Sequence, residues 1–294
     1  SWNEGCVGTG PFRVVQFDPG RRLEVERNPL YWRTGYPKSD GLVFRFGMSA
    51  DEVRDEFMAG RLSIAAGLAP TDVEKLRHDP VLGAGYRELP RMCTYYAGFN
   101  CRRAPLDNLE LRRRLVRDVD VPAIVQRHLG RLAIPAHGII PPGLVGYTAS
   151  RNLVPAAEPF SPGEEIELTA GVHPVFFEQY AGIARELTKV FAERGVRIKP
   201  ITRTMKEFMD VRASGDVDLM IGRWYADYPD SDSFAHGMLH SQGGMLGNFS
   251  GSAEMDSLIE SGREEGDPSI RHSIYREIEQ VVARNALLLP LFHE

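Results

Sequence analysis

The chain has 294 residues, of which 43% are hydrophobic and 26% are charged, and this composition is ordinary for a globular protein. The length allows one large domain or two small ones with a sizeable core. The formal net charge of −5 excludes a strongly basic, nucleic-acid-binding chain, and the sequence contains neither an apolar run of membrane-spanning length nor a signal-peptide pattern at Ser1.

The first hundred residues alternate short extended and helical patterns. Residues 12–15 and 23–27 flank a turn signal at 18–20 and therefore predict a β-hairpin. Periodicity predicts further strands at 42–46, 63–66 and 94–99. It also predicts helices at 50–59 and 71–77, the second with Thr71 as its N-cap.

After residue 100 the pattern is that of an α/β protein. A helical segment at 109–128, interrupted by Pro122, precedes a Gly-, Pro- and Ala-rich connection at 130–162 that predicts a long surface loop. Strands are then predicted at 166–170, 197–202, 217–221 and 287–291, and helices at 176–194, 205–212, 255–262 and 269–285. Strand–helix–strand alternation predicts parallel pairing with right-handed crossovers.

The most informative segment is residues 222–234, which joins an apolar strand to Trp224, Tyr225 and an acidic turn. Its carboxylates are Asp227, Asp230 and Asp232. Aromatic rings offer flat amphipathic contact surface, and a carboxylate beside them can pair with an ammonium group. At a strand end of an α/β domain, this pattern predicts a site for a small cationic or zwitterionic ligand. The alternative is a surface loop with one Trp docked on the core.

Other motifs point away from catalysis, cofactors and metals. The sequence has no nucleophile elbow, no His-Glu-x-x-His and no phosphate loop, and Gly8 and Gly10 lack the third glycine of a dinucleotide site. We therefore expect no enzyme activity and no cofactor. His236 and His240 are four residues apart and can share a helix face, but without a third ligand at recognisable spacing they do not predict a zinc site. Metal-binding residues are accordingly not expected.

The cysteines do not predict a disulfide framework. There are three, an odd number, at Cys6, Cys93 and Cys101. The last two flank a predicted strand whose extended backbone would hold them far apart. Free thiols are favoured over a bridge.

Four blocks in order resemble family 5 extracellular solute-binding proteins, the oligopeptide, dipeptide and nickel receptors of ABC importers. They are residues 8–15 with 21–32, residues 96–100 with 104–107, residues 135–143, and residues 224–234 with 248–251 and 255–258. The resemblance extends from about Val7 to Phe292. It implies a type II periplasmic-binding-protein-like α/β fold, with two lobes joined by crossing strands.

The resemblance also implies a domain organisation. Residues 1–95 correspond to a remnant of the first lobe, 96–288 to the second ligand-binding lobe, and 289–294 to the start of the return crossing. The hinge residues implied are Tyr96, Phe99, Asn100 and Leu289. Members of the family are longer, so we expect a piece truncated at both ends, with one wall of the ligand cleft incomplete and weak solute binding in isolation.

The resemblance implies roles for several residues of the acidic segment and its surroundings. Asp227 stands at the Asp of the pattern Trp-x-Ala-Asp-Tyr, which in peptide-binding members pairs with the ligand's α-ammonium group beside Trp224 and Tyr225. Its alternative role is to cap the turn before Pro229. Arg212 matches an Arg that reaches a ligand carboxylate in some members, or it is an exposed residue at a helix end.

Two features depart from the family pattern. Arg223 replaces a small residue before Trp224, so it either places a cation in the cleft beside Asp227 or fills the cleft. Six arginines lie between residues 102 and 117, and Arg114 and Asp118 stand where Ala is usual. The arginine-rich run is interpreted as a solvated helix face or as a contact surface for another domain.

The function implied is the solute-binding component of an ABC-type importer, with a peptide or another small cationic or zwitterionic solute bound between two lobes. Its partners would be that solute and a membrane permease. We expect a monomer that binds no nucleic acid, in the periplasm or outside the cell, anchored to the membrane in its full-length form. The alternative is a ligand-sensing module of the same fold, fused to a signalling or regulatory protein.

Overall fold

The computed structural model describes residues 8–117, 119–150, 154–155 and 165–294, so Cys6 and Asp118 lie outside the described residues. The chain divides into two compact units, Ser1–Tyr86 and Arg87–Glu294. The second unit thus begins at residue 87, earlier than the lobe expected from residue 96, and it includes residues 289–294. The reason is that the strands around residues 96 and 290 both belong to its sheet. How these units correspond to lobes stays a prediction.

The first unit contains a three-stranded antiparallel sheet, formed in order by β1 (Phe12–Asp18), β2 (Arg22–Arg27) and β3 (Gly41–Arg45). The predicted hairpin is confirmed. Two helices follow, α1 (Ala50–Met58) and α2 (Pro70–His78). A capping box between Ser49 and Glu52 begins α1.

Two predictions in this unit are wrong. Thr71 is not the N-cap of α2, because Pro70 already occupies the first helical turn and Ala69 is the cap, without a side-chain hydrogen bond. Residues 63–66 do not form a strand; Ile64 is 80% exposed there. An apolar residue without a neighbouring strand or core to cover it has nothing that fixes it in an extended ladder.

The second unit is built on a mixed six-stranded sheet. Its strands are β4 (Cys93–Phe99), β5 (Ile134–Pro135), β6 (Ile166–Val172), β7 (Val196–Pro200), β8 (Leu219–Tyr225) and β9 (Leu288–His293). They lie in the order β5-β9-β4-β8-β6-β7. The predicted parallel pairing is confirmed for β6 with β7 and with β8, whereas β4 pairs antiparallel with both β8 and β9.

Helices cover both faces of this sheet. They are α3 (Leu109–Val116), α4 (Val121–Leu129), α5 (Ala181–Ala192), α6 (Met205–Ser214), α7 (Asp232–Leu239), α8 (Gly247–Ser250), α9 (Ala253–Glu264) and α10 (Pro268–Arg284). The helix predicted at 109–128 is two helices, because Pro122 lies in the first turn of α4, which Asp120 caps. The helix predicted from residue 176 begins only at Ala181, after a 3-10 turn at Pro174–Phe176.

The core consists of two apolar clusters on opposite faces of the sheet. Because neighbouring side chains of β4 point to opposite faces of the sheet, Tyr95 and Phe99 lie in one cluster and Tyr96 lies in the other. The residues expected at the hinge, Tyr96, Phe99, Asn100 and Leu289, are all buried. Asn100 donates hydrogen bonds from Nδ2 to the carbonyl oxygens of residues 215 and 217, at 3.0 and 2.9 Å. Their role as a hinge stays a prediction.

Part of the arginine-rich run is held within the domain: Arg112 and Arg113 contact its carbonyl groups, whereas Arg102 and Arg103 are exposed. The contact surface for another domain stays a prediction. Arg112 is buried and donates to the carbonyl oxygens of Leu106 and Asn285, at 2.7 and 3.0 Å. Arg113 donates to the carbonyl oxygen of Arg284 at 3.0 Å. Both guanidinium groups therefore satisfy the carbonyl groups left without partners at the end of α10.

Candidate functional site

Several chain segments meet at one edge of the six-stranded sheet. The carboxyl ends of the parallel strands β6 and β8 lie there, together with the start of β4, since Cys93 is paired with Tyr225. The amide of Ala226 donates to the carbonyl of Met92 at 2.8 Å, and the amide of Arg91 donates to the carbonyl of Glu294 at 2.8 Å. The residues after β8 that are predicted to bind ligand lie at this edge.

Asp227 is exposed, and its carboxylate is available at this edge. Its backbone amide donates to Ser233 Oγ at 3.0 Å, which fixes the turn. Within the described part of the chain, no residue forms a hydrogen bond or an ion pair with the Asp227 side chain. The alternative role of a side-chain turn cap is therefore not supported by the contacts, and the role in ligand binding stays a prediction.

The other two carboxylates of the segment are held by arginines from distant helices. Arg271 donates to both oxygens of Asp230, at 2.9 and 2.7 Å, and Asp230 also accepts the amide of Asp232 at 2.8 Å. These hydrogen bonds, chiefly that from Arg271, hold the pKa of Asp230 below its usual value. Asp232 is buried, 3.3 Å from Arg263 Nε. The two carboxylates therefore connect the turn to α10 and α9.

Trp224 and Tyr225 lie in β8 itself, whereas the sequence placed them after the strand. Because neighbouring strand residues point to opposite faces, Trp224 packs on the cluster that contains Tyr96, and Tyr225 packs on the other cluster. The indole Nε1 of Trp224 is buried and has no hydrogen-bond partner among the described residues. The two rings do not form one aromatic wall.

Tyr225 belongs to a polar network on its own face of the sheet. Its hydroxyl lies 3.1 Å from Arg223, 3.3 Å from Arg91 and 3.3 Å from Glu294 Oε2. Tyr95 joins through Glu294 at 2.9 Å and Arg223 at 3.3 Å. Arg223 also stacks over the Tyr225 ring, 4.7 Å from its centroid. The Arg223 guanidinium group therefore contacts Tyr95 and Tyr225 rather than Asp227.

Arg212 lies in the last turn of α6, and its Nε donates to the carbonyl of Met245 at 3.3 Å. The helix ends at Gly215, with φ 73°, just before β8 begins. Arg212 therefore precedes β8 whereas Asp227 follows it, which separates their backbones by the length of a strand of seven residues. We find no support for both residues holding one small zwitterion, and the role of Arg212 stays a prediction.

Three polar features were missed by the sequence analysis. His173 directly follows β6 at the same edge, and burial, with the charge of Arg223, lowers its pKa to about 4. Glu279 on α10 is fully buried and accepts the amides of Ile139 and Ile140 at 3.1 and 2.8 Å. Glu260 approaches His236 and His240 from another helix. Only tertiary structure reveals these groupings, because their members are distant in sequence.

Comparison with solved structures shows which fold the chain has. The murein tripeptide binding protein MppA of Escherichia coli superposes with a TM-score of 0.82 at 20% identity, over 97% of this chain and 58% of MppA. A dipeptide binding protein of Pseudoalteromonas sp. SM9913, in complex with Met-Leu, gives a TM-score of 0.81 at 18% identity, over 97% and 59% of the two chains. The fold is thus that of type II periplasmic binding proteins, as predicted.

The family follows from sequence. The family model of bacterial extracellular solute-binding proteins, family 5 Middle, matches residues 2–162, more than half of the chain, and the chain belongs to this family. The family is one of binding proteins, not enzymes.

Curated relatives are similar over nearly the whole chain. Di/tripeptide-binding protein 1 of Pseudomonas aeruginosa is 25% identical over 99% of this chain and 56% of its own length. The probable deoxycholate-binding periplasmic protein YgiS of E. coli is 26% identical, over 100% of this chain and 57% of its own length. The chain therefore spans a little over half the length of these relatives.

Proposed function

We propose that this chain is part of the receptor component of an ABC-type importer and that it binds the ammonium end of a short peptide through Asp227. The observation that carries the proposal is the contrast within one turn. Asp230 and Asp232 are tied to Arg271 and Arg263, whereas the Asp227 carboxylate is exposed with no partner among the described residues. Relatives named as di/tripeptide-binding proteins support the same ligand class.

The proposal extends to partners and location. A permease in the membrane would receive the solute, and lobe closure around the ligand would be the signal that it recognises. The names of relatives include periplasmic proteins, which supports a periplasmic or extracellular location. Among the described residues, no helix is long and apolar enough to cross a membrane. Membrane anchoring of the full-length protein is part of the proposal.

The alternative is a ligand-sensing module of the same fold, fused to a signalling or regulatory protein. It drew on the arginine-rich run as a docking surface, but Arg112 and Arg113 contact carbonyl groups of this same domain. No observation among the described residues favours a sensor over a transport receptor.

Calorimetry with the longest polypeptide that the reading frame encodes tests the proposal. We expect wild type to bind a free di- or tripeptide and to discriminate against its N-acetylated form, which lacks the ammonium group. Asp227→Asn should weaken binding by about two orders of magnitude and abolish the discrimination, because lobe closure would bury the pair of carboxylate and ammonium group. Losing a partner of a buried charge pair costs about 3–5 kcal/mol, and 1.4 kcal/mol is tenfold in affinity.

The matched control is Asp216→Asn, because Asp216 precedes β8 and its side chain is 78% exposed. It should bind as wild type does. Asp230 is unsuitable as a control, because replacing it would remove hydrogen bonds that Arg271 donates to its carboxylate. Equal effects at Asp227 and Asp216 would contradict the assignment. So would preferential binding of deoxycholate, an anion without an ammonium group.

A further inference from the structure

A second cluster of polar side chains lies between α7 and α9. His236 lies on α7, His240 is the C-cap of that helix, and Glu260 lies on α9. One potential metal-ligating atom from each of the three lies within 4.8 Å of the other two. None of its members belongs to the strand ends described above, where the proposed peptide site lies.

The two helices place these groups face to face. The imidazole rings are stacked with centroids 4.5 Å apart and an interplanar angle of 26°. His240 Nε2 lies 3.1 Å from Glu260 Oε1. The side chain of His240 is 11% exposed and that of Glu260 is 46% exposed, so the cluster is open to solvent on the carboxylate side. His236 is partly buried.

We propose that His236, His240 and Glu260 bind a divalent transition metal ion of the Zn²⁺ class. Two imidazoles and one carboxylate are ligands that Zn²⁺ and its neighbours in the periodic table prefer. Three protein ligands leave a coordination position for water, and the exposed side of Glu260 provides an entry path. The sequence did not predict this site because its third ligand comes from a different helix.

Two neighbouring charges tune the site. Asp256, one turn before Glu260 on α9, has Oδ1 4.0 Å from His240 Nε2 and accepts the Ser241 amide at 2.8 Å. It adds negative charge beside the ligands from a fixed position. Arg263 Nη1 lies 3.6 Å from Glu260 Oε1 and competes with a cation for that carboxylate. Arg263 also pairs with Asp232 at 3.3 Å, so it has a second partner when a metal takes Glu260.

The hydrogen bond at the other nitrogen of His240 gives metal binding a local signature. The amide of Gln242 donates to His240 Nδ1 at 3.1 Å, so the neutral ring carries its proton on Nε2, which lies 3.1 Å from Glu260 Oε1. A metal ion at Nε2 requires that the proton reside on Nδ1 instead, and the Gln242 amide then loses its acceptor. Binding should therefore displace this amide, and the affinity should be lower than that of a closed structural zinc site.

Zn²⁺ titration of the tag-free 294-residue chain, measured by competition with a chromophoric chelator, tests the proposal. We expect one ion per chain, and a visible Co²⁺ absorption spectrum of a four- or five-coordinate site. His236→Gln and Glu260→Gln should each weaken Zn²⁺ binding by at least about tenfold. Nitrogen-edited NMR should show the Gln242 amide resonance moving on Zn²⁺ addition in wild type and not in His236→Gln.

The matched control is His78→Gln, which removes a histidine 3.7 Å from Glu74 that has no second imidazole beside it in the described part of the chain. It should bind Zn²⁺ as wild type does. Circular dichroism checks that each variant is folded, and Glu260→Gln, with its half-exposed side chain, is the variant least able to perturb the fold. The proposal is overturned if wild type binds no Zn²⁺ at micromolar concentrations, or if folded Glu260→Gln binds it as tightly as wild type.

Discussion

Three acidic side chains in the turn after β8 share one local sequence context but have different environments. Asp230 and Asp232 lie next to arginines supplied by α10 and α9, so each is neutralised within the domain. Asp227 is the first of the three along the chain, and it is exposed. The chemistry available to a carboxylate is thus decided by which distant cation the fold brings to it.

Gly237 on α7 is a residue whose lack of a side chain is required by its neighbour. A Cβ atom at this position would lie 2.4 Å from Cζ2 of Trp224. Replacing a mid-helix Gly by Ala normally stabilises a helix by about 0.5–1 kcal/mol. We predict the opposite sign for Gly237→Ala, a loss of about 1–3 kcal/mol in the free energy of unfolding, because the indole must shift within a packed core.

Urea unfolding followed by intrinsic fluorescence measures this loss. Gly266→Ala is the control, since nothing lies within 4 Å of its added Cβ. It should leave stability unchanged or slightly raised. Stabilisation by both substitutions would show that Trp224 does not contact Gly237 as described.

At the scale of elements, α10 depends on an arginine from α3 for its C-terminal end. Arg112 donates to the carbonyl of Asn285 through two nitrogens, at 3.2 and 3.0 Å, and to two further carbonyl groups. We predict that Arg112→Lys lowers the free energy of unfolding by about 1–3 kcal/mol, because an ammonium group cannot reproduce the guanidinium fork and leaves buried carbonyl groups unpaired.

Chemical denaturation gives the comparison, with Arg197→Lys as the control. Arg197 is 62% exposed and pairs with Glu167 at the surface of β6 and β7, so its replacement should change stability by less than about 0.5 kcal/mol. Equal effects of the two substitutions would mean that the buried fork of Arg112 contributes nothing specific.

The loop that follows β5 is held to α10 by a buried carboxyl group. Burial raises the pKa of Glu279 to about 7, although the amides of Ile140 and Ile139 and the charge of Arg276 act in the other direction. In the unfolded chain the pKa is about 4.5. The native state therefore binds more protons than the unfolded state between these values, and stability falls as pH rises through that interval.

We predict that this contribution, about 3 kcal/mol for a shift of this size, is absent from Glu279→Gln, which cannot ionise. The free energy of unfolding, measured in urea at about pH 5 and about pH 8, should fall with pH in wild type relative to the variant. His293, whose pKa burial lowers to about 4, titrates in both proteins and cancels in the difference. For Glu277→Gln, on the exposed side of the same helix, the free energy of unfolding should depend on pH as it does in wild type. Parallel pH profiles of wild type and Glu279→Gln would refute the assignment.

Elements with strong local signals could be predicted from sequence, and the exceptions have physical reasons. The β1–β2 hairpin has its own turn, and α6 has a capping box and a terminal glycine. The helical segment at 109–128 has the predicted interruption, and it consists of two helices because Pro122 lies in the first turn of the second one. In the candidate site, Asp227 was predicted from a contiguous motif, but its neighbours Asp230 and Asp232 have partners on distant helices. Glu260 is likewise separated from His236 and His240 along the chain. Such pairs leave no periodic or local pattern.

At the scale of the whole molecule, the two units differ in how much apolar surface they bury. The buried hydrophobic side chains begin at Cys93, and none comes from the described residues 8–86. In the first unit Leu42, Val43 and Phe44 of β3 are all more than a third exposed. Since burial of apolar area is the main favourable term in folding, most of the stability belongs to Arg87–Glu294.

We predict that hydrogen exchange separates the units in the 294-residue chain. The matched comparison is β2 against β4, because each is bonded to a strand on both sides. β4 is buried at all seven positions, whereas β2 has no buried residue. Amides of β4 should therefore exchange only through global unfolding, and those of β2 through local opening at much lower free energy. Mass spectrometry of exchanged peptides, repeated across urea concentrations, reports both free energies. Equal protection of β2 and β4 would show that the first unit is stabilised by something other than apolar burial.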